Sequence, residues 1–326
     1  MSSDTMVFED LPTTLTAEEL IDKAFSRAAR AGRAKEGREA QESMLRTAGN
    51  VLSDNLENVV TDWPDFAYEV SPFYYELADA LTDVDELRQS LNEVDWANDQ
   101  IATLRDQYTS KLRTADRETA RSHRKQAFAR FADITEEVDP DLRRLNDARN
   151  ELRDLPDIDP DAPVIAVAGY PNVGKSAFVN HVTRATNETA EYPFTTTGIQ
   201  VGHFDRDRVT YQIIDTPGLL DRPADERNDI EQQAVSALAH AADTVLFVVD
   251  ASGECGYPLN VQLDLQDAVE ATFDVPVLTV CNKSDVSTDV DAEAYMSVTE
   301  NDNVDDVLER AAVAVGYDPG LPSREA

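Results

Sequence analysis

The residues best suited to chemistry lie in three short stretches. Gly169-Tyr170-Pro171-Asn172-Val173-Gly174-Lys175-Ser176 follows the apolar run Val164–Ala168 and leads into Ala177-Phe178-Val179. A buried strand entering a glycine loop that ends in Lys-Ser, with a helix behind it, is the context in which backbone N–H groups cradle phosphates. The helix N-terminus adds partial positive charge. In such a loop Lys175 reaches the β- and γ-phosphates, and the Ser176 hydroxyl ligates Mg²⁺.

Asp215-Thr216-Pro217-Gly218 ends the apolar run Val209–Ile214. At a strand end after a phosphate loop, Asp215 is placed to hold Mg²⁺ through water and the Gly218 N–H to meet a γ-phosphate. Between the two stretches lies Tyr192-Pro193-Phe194-Thr195-Thr196-Thr197-Gly198. One of its threonines suits a Mg²⁺ ligand that senses the γ-phosphate, and the bland reading is an ordinary β-branched loop. The third stretch, Asn282-Lys283-Ser284-Asp285, follows the apolar run 276–281. A carboxylate at Asp285 pairs with the N1–H and N2–H₂ donors of guanine, which adenine lacks, and each such charged hydrogen bond is worth roughly 1.5–3 kcal/mol. The expected ligand is therefore GTP with Mg²⁺. Ser297 and Val298 are candidates for a last base contact, and no histidine has a partner at catalytic spacing.

These residues need a sheet to align them. Apolar runs at 164–168, 199–204, 209–214, 244–250 and 276–281 read as strands, and helical patterns fall near 175–185, 228–240, 260–272 and 303–315. That alternation predicts a doubly wound, mostly parallel α/β domain over 164–317, with a tail at 318–326. Residues 1–155 read as an all-α bundle of four or more antiparallel helices. Thr16 and Glu19 form a capping-box pattern ahead of a helix with Leu20, Ile21, Ala24, Phe25 and Ala28 on one face. Trp63, Phe66, Tyr68, Phe73, Tyr74 and Tyr75 read as one aromatic core cluster, and further periodic runs cover 84–92, 94–115, 117–137 and 140–153. Prolines and aspartates over 156–163 predict an extended, exposed linker.

Composition narrows the setting. The 326 residues carry 64 acidic and 29 basic side chains, a net charge of −35, yet the acids are spread through periodic segments. An acid-coated, lysine-poor but foldable chain reads as a protein of a KCl-rich cytoplasm, where repulsion is screened within about 3 Å at 1 M salt. After Lys125 only Lys175 and Lys283 remain, each inside a nucleotide motif. Cys255 and Cys281 are too few for a disulfide framework or a zinc site. No membrane span or signal pattern is present in the sequence, so a cytoplasmic location and no membrane partner are expected.

Residues 103–131 depart from this background, with an excess of five positive charges. Arg113, Arg117, Arg121 and Lys125 recur every four residues and are expected on one helical face. A smaller basic set includes Arg27, Arg30, Arg33, Lys35 and Arg38. Such a face is either solvated and internally paired or a contact to RNA phosphates, and the second is favoured in so acidic a chain. DNA is not an expected partner.

Taken together, these motifs resemble the nucleolar GTP-binding protein (NOG) branch of the Obg-like group of translation-factor-type GTPases. The shared stretches also include Tyr192-Pro-Phe-Thr-Thr196, Val201-Gly-His203, Leu219-Leu-Asp-Arg-Pro223, Glu226-Arg-Asn228 and Cys255-Gly-Tyr257. In the first half they are Leu11-Pro-Thr13, Leu15–Ala24, Pro72-Phe-Tyr74 and Asp95-Trp-Ala97, so the likeness covers nearly the whole chain. It implies a GTPase that acts as a switch in large ribosomal subunit assembly, contacting ribosomal RNA and subunit precursors, in an archaeal, halophile-like short form without the long C-terminal extension. A monomer is expected. The resemblance also favours Thr196 among Thr195, Thr196 and Thr197 as the Mg²⁺ threonine, and suggests that Asn172 either helps coordinate K⁺ beside the phosphates or only stabilises its loop. Leu219 stands where familiar switch GTPases carry a water-positioning glutamine, so hydrolysis is expected to be slow without an activator. In this scheme GTP orders residues 187–198 and 219–232, and Arg222 or Arg227 is a candidate finger in cis. Two other readings remain open: a GTP-sensing interaction module with negligible hydrolysis, or another Obg-like translation-associated GTPase.

Overall fold

A computed structural model describes residues 7–153, 155, 158–159, 162–183, 188–189, 200–206 and 208–316. The chain divides into two compact units, one formed by residues 7–70 and 81–153, the other by residues 71–80 together with those from 154 onward.

Six helices precede the first strand among the described residues: α1 (Ala17–Arg33), α2 (Gly37–Asp62), α3 (Pro72–Thr82), α4 (Val84–Thr114), α5 (Arg117–Glu137) and α6 (Asp139–Leu152). All but α3 build the first unit. The expected capping box starts α1: Thr16 Oγ1 accepts the Glu19 N–H, and Glu19 Oε2 accepts the Thr16 N–H at 2.9 Å. Helices α2 and α4, 26 and 31 residues long, form the central pair. Helix α4 is unbroken where two segments were expected, because Leu87, Val94, Ile101 and Tyr108 are all buried at a heptad spacing and nothing between them stops a helix.

The basic face needs correction. Ala115 is extended (φ −81°, ψ 147°), and Asp116 caps a new helix by accepting the N–H groups of Glu118 (3.0 Å) and Thr119 (2.8 Å). Arg113 therefore ends α4, and only Arg117, Arg121 and Lys125 share a helix, α5. A four-residue spacing survives in sequence across a turn between two helices, so its members do not share one helical face.

The second unit is built on a seven-stranded sheet: β1 (Val164–Ala168), β2 (Glu188–Thr189), β3 (Gln200–Arg206), β4 (Val209–Asp215), β5 (Thr244–Asp250), β6 (Val277–Asn282) and β7 (Ala294–Tyr295). The order is β2-β3-β4-β1-β5-β6-β7, with β2, β3 and β4 antiparallel and every pairing from β4 to β7 parallel. Its remaining helices are α7 (Lys175–Val182), α8 (Asp229–Ala241), α9 (Leu259–Thr272) and α10 (Val304–Val315), with a 3₁₀ turn at Ala224–Glu226. All residues of β1 and β5 are buried, as parallel strands covered on both faces require. The order reverses at β1, which lies between β4 and β5, and the crevice beyond such a point is where ligands bind in open α/β sheets.

Two further expectations change. The aromatic cluster is split: Trp63 and Phe66 pack near Phe8 in the first unit, whereas Phe73 and Tyr74 belong to the second, and Tyr68 is 89% exposed. The described linker residues are also not exposed, since Leu155, Ile158 and Pro163 are buried. The Tyr74 hydroxyl accepts the Ile158 N–H (2.9 Å) and donates to the Ile158 carbonyl (3.2 Å). Gln212 likewise pairs through its amide with both backbone groups of Asp159, at 2.9 and 2.8 Å. The tail at 317–326 lies outside the described residues, and no described helix is long and apolar enough to cross a membrane.

Replacing Tyr74 with Phe leaves the buried Ile158 N–H without this partner. We expect a loss of about 1–3 kcal/mol, read as a lower midpoint in thermal or urea unfolding. An unchanged midpoint would show that these bonds add nothing to the second unit.

Candidate functional site

The phosphate loop leaves β1 at Gly169, whose φ of +134° and approach to the Val248 carbonyl leave no room for a Cβ. Gly174, at φ +107°, faces the side chain of Asn282 in the same way. The first bond of α7 runs from the Phe178 N–H to the Gly174 carbonyl, so the N–H groups of Lys175, Ser176 and Ala177 have no partner within the helix. Such free donors at a helix N-terminus are what an anion would meet.

Lys175 is 6% exposed, and its ammonium donates to the carbonyls of Gly169 (2.6 Å) and Tyr170 (3.0 Å). Burial pulls its pKa down, while Asp221 and Asp215 act in the opposite direction. The β1–β4 register sets Val167 beside Asp215, which brings that carboxylate to the loop. Asp215 is 1% exposed, and neither carboxylate oxygen makes a hydrogen bond among the described residues. Desolvation raises its pKa; the nearby Ser176 hydroxyl, though short of hydrogen-bond geometry, holds part of that rise back. A buried, unpaired carboxylate beside a hydroxyl fits a hard divalent cation such as Mg²⁺. Thr216 supports the turn by donating its hydroxyl to the Val167 carbonyl (2.9 Å), and Pro217 leads into Gly218 at φ +85°. Thr196, the expected third ligand, lies outside the described residues, as do Thr195 and Thr197.

The base-reading side is joined to the phosphate side directly. Asn282 ends β6, and its side-chain amide donates to the Val173 carbonyl (2.8 Å) while its oxygen accepts the Val298 N–H (3.3 Å). Ser284 N–H bonds to Met296 O and Ser297 N–H to Asp302 O, so the two loops run side by side. Asp285 is exposed, with no hydrogen-bond partner among the described residues, as a carboxylate that reads a base must be. Asn172, at φ +64°, is also exposed.

Sequence reasoning missed four supporting residues. Asp250, fully buried at the end of β5, accepts the Lys283 ammonium at 2.6 Å and the N–H groups of Ser252 and Cys255. Burial alone would raise its pKa; Lys283 and these donors outweigh that and hold it below the usual carboxylate value. Gln262, from α9, bonds both backbone groups of Asp250. Beyond Gly218, Asp221 accepts the Gly218 N–H, and Arg222 is paired with Glu231 at 2.5 Å. No local pattern marked Asp250, because its place opposite Asn282 follows from the β5–β6 register. Arg222 and Arg227, proposed as fingers, are engaged: Arg222 donates to the Gly218 carbonyl and Arg227 to the Arg222 carbonyl.

In the first unit, the turn between α1 and α2 and the turn between α4 and α5 come together. Arg38 donates to the Arg113 carbonyl (2.6 Å), and Arg124 to Gln41 (2.9 Å). The two basic sets of the sequence therefore meet at one end of the bundle. Arg113, Arg117, Arg121 and Lys125 are exposed there, and none pairs with a carboxylate among the described residues. Arg46, Arg105 and Arg113 line an adjoining cleft of about 530 Å³.

A parallel sheet with a phosphate loop at its reversal point, a carboxylate at the next strand end and an Asn-Lys-x-Asp loop beside it defines a P-loop protein of the GTPase class. Comparison with known proteins agrees. Residues 8–159 match the family described as NOG1 N-terminal helical domain, and residues 164–283 match the 50S ribosome-binding GTPase family. An uncharacterised protein of Methanocaldococcus jannaschii is 37% identical over 296 residues, covering 88% of this chain and 83% of its own length. Nucleolar GTP-binding protein 1 of Drosophila melanogaster is 37% identical over 240 residues, covering 73% of this chain and 37% of its own. Among solved structures, nucleolar GTP-binding protein 1 of Plasmodium falciparum matches at 33% identity and a TM-score of 0.45, covering 50% of this chain and 90% of that one. The chain belongs to the nucleolar GTP-binding protein 1 family, and it spans less than half the length of several members that carry that name.

The raised pKa of Asp215 has a definite sign. Between its ordinary value and the raised one, the folded chain binds more protons than the unfolded chain, so stability falls as pH rises through that window. At neutral pH the unpaired charge opposes folding. Asp215→Asn should therefore raise the melting temperature in EDTA at pH 7 and abolish the gain in nucleotide affinity on adding Mg²⁺. A variant that melts lower, or that still responds to Mg²⁺, would contradict this placement.

Proposed function

We propose that this chain is a GTP-hydrolysing switch in assembly of the large ribosomal subunit, binding guanine nucleotide with its second unit and ribosomal RNA with its first. The observation that carries the nucleotide reading is the Asn282–Val173 bond, because it sets the exposed Asp285 and the Lys175 loop in one frame. Asp285 would select guanine, Lys175 and the α7 N-terminus would hold the phosphates, and Ser176 with Asp215 would hold Mg²⁺, Thr196 completing the set. That cation supplies charge neutralisation across the β- and γ-phosphates. The exposed side chain of Asn172 leaves it free for K⁺ beside the same phosphates. Ribosomal RNA is supported by exposed Arg113, Arg117, Arg121 and Lys125, which pair with no carboxylate among the described residues in a chain of net charge −35, and by the ribosome named in the description of one matching family. Close Arg–phosphate hydrogen bonds suit high salt, which screens attraction at a distance.

Leu219 favours a second reading. Its side chain is fully buried and offers no amide to orient water, so occupancy by GTP without appreciable hydrolysis would also give a switch.

Single-turnover hydrolysis separates the two. We expect slow GTP cleavage that accelerates with large-subunit precursors and falls when NaCl replaces KCl at equal ionic strength. No acceleration by precursors supports the sensing module, and equal rates in the two salts remove K⁺. Cross-linking in cell extract tests the partner: ribosomal RNA should be recovered with the wild type and lost when Arg117, Arg121 and Lys125 are all changed to Glu, with GTP affinity retained. Undiminished RNA recovery would exclude this face.

A further inference from the structure

The N–H of Gly218 is the donor that a γ-phosphate needs in a site of this class. Here Asp221 Oδ2 accepts it at 2.8 Å. Its negative charge also works against the effect of burial on the Lys175 ammonium. An anion bonded to the Gly218 N–H occupies the donor that a third phosphate would use.

The carbonyl of the same residue is held as well. Arg222 donates to the Gly218 carbonyl (3.0 Å) and to Glu231 Oε1 (2.5 Å). Glu231 is itself fixed in the first turn of α8, where its other oxygen accepts the Asn228 N–H (2.9 Å) and Asn228 Oδ1 accepts the Glu231 N–H (2.8 Å). Arg227 closes the segment on the Arg222 carbonyl (2.9 Å). Gly218 is thus held through its N–H and its carbonyl by two adjacent residues of opposite charge, one of them anchored to α8.

We propose that Asp221 is a built-in stand-in for the γ-phosphate, a specificity-determining residue that ranks GDP above GTP by occupying the Gly218 N–H. One amide cannot serve both acceptors, and the two anions repel at such range. GTP must displace Asp221, and the displaced chain carries Arg222 with it, loosening the tie from the Gly218 carbonyl to Glu231. The third phosphate is thereby read at the start of α8. This inference rests on the guanine-nucleotide reading above. The competing role, a local bond that only shapes the turn, predicts equal effects on both nucleotides.

The test is the ratio of dissociation constants for GDP and the non-hydrolysable analogue GMPPNP, measured with Mg²⁺ on the full chain. Asp221→Ala should shift the ratio toward GMPPNP on the order of tenfold, the worth of one hydrogen bond to a charged group. Asp221→Asn keeps an acceptor and removes the charge, so it should shift the ratio the same way by less. Ratios within about twofold of wild type in both variants, with circular dichroism unchanged, would overturn the stand-in role. Should Ala not fold, the Asn variant decides alone. Wild-type protein that binds neither nucleotide would overturn the guanine-nucleotide reading and this inference with it.

Discussion

The carboxamide of Asn282 holds the candidate site together. Through one bond of 2.8 Å it joins a loop at the end of β6 to the Val173 carbonyl, 109 residues earlier in the chain. Both ends of that buried side chain are used, since its oxygen also takes the Val298 N–H. Buried polar groups are costly unless paired, so each of these partners fixes the others. Gly174 follows from the same contact, because a side chain there would strike Asn282. The loop from Gly169 to Lys175 and the loop from Asn282 to Asp285 are consequently tied together above a sheet whose strand ends are already aligned by its parallel register.

Charge in this acidic chain is placed where solvation would oppose it. Lys175 loses hydration in the phosphate loop and regains part of it from two carbonyls. Lys283 is balanced by Asp250, whose own burial is offset by backbone donors from Ser252 and Cys255 and by the Gln262 frame around it. Asp215 has no such balance among the described residues. That contrast sets Asp250, satisfied within the protein, apart from Asp215, whose unpaired oxygens suit the cation proposed above.

The segment after Gly218 has a different character. Its polar groups are satisfied mainly by its own side chains, through Asp221, Arg222, Arg227 and the capping box of α8. Leu219 and Leu220 are buried beneath it, and the Leu220 carbonyl accepts the Gly169 N–H, so the segment is fixed at its root to the phosphate loop. A stretch anchored at its root and closed by short-range ion pairs can exchange those partners for a ligand without unfolding its core.

Much of this was legible in the linear chain. The strand, glycine loop and helix at 164–182, the Asp-Thr-Pro-Gly turn, the Asn-Lys-Ser-Asp loop and the Thr16 capping box are local patterns, in which residue type and spacing alone fix the backbone chemistry. Five of the seven strands were placed nearly to their ends for the same reason. What the sequence by itself could not determine is which distant residues complete those patterns. The pairing of Lys283 with Asp250, the hold of Tyr74 on Ile158 and the split of the aromatic cluster each join segments whose separation along the chain carries no information about distance in space. Even the Asp221–Gly218 bond, three residues apart, needs a backbone path as well as a carboxylate, and Gly218 takes a positive φ there. The face expected from Arg113 to Lys125 broke for a related reason: spacing continues through a turn, but direction does not. Tertiary structure decided these because a hydrogen bond or ion pair requires position and orientation together, and only the packed sheet and bundle supply both.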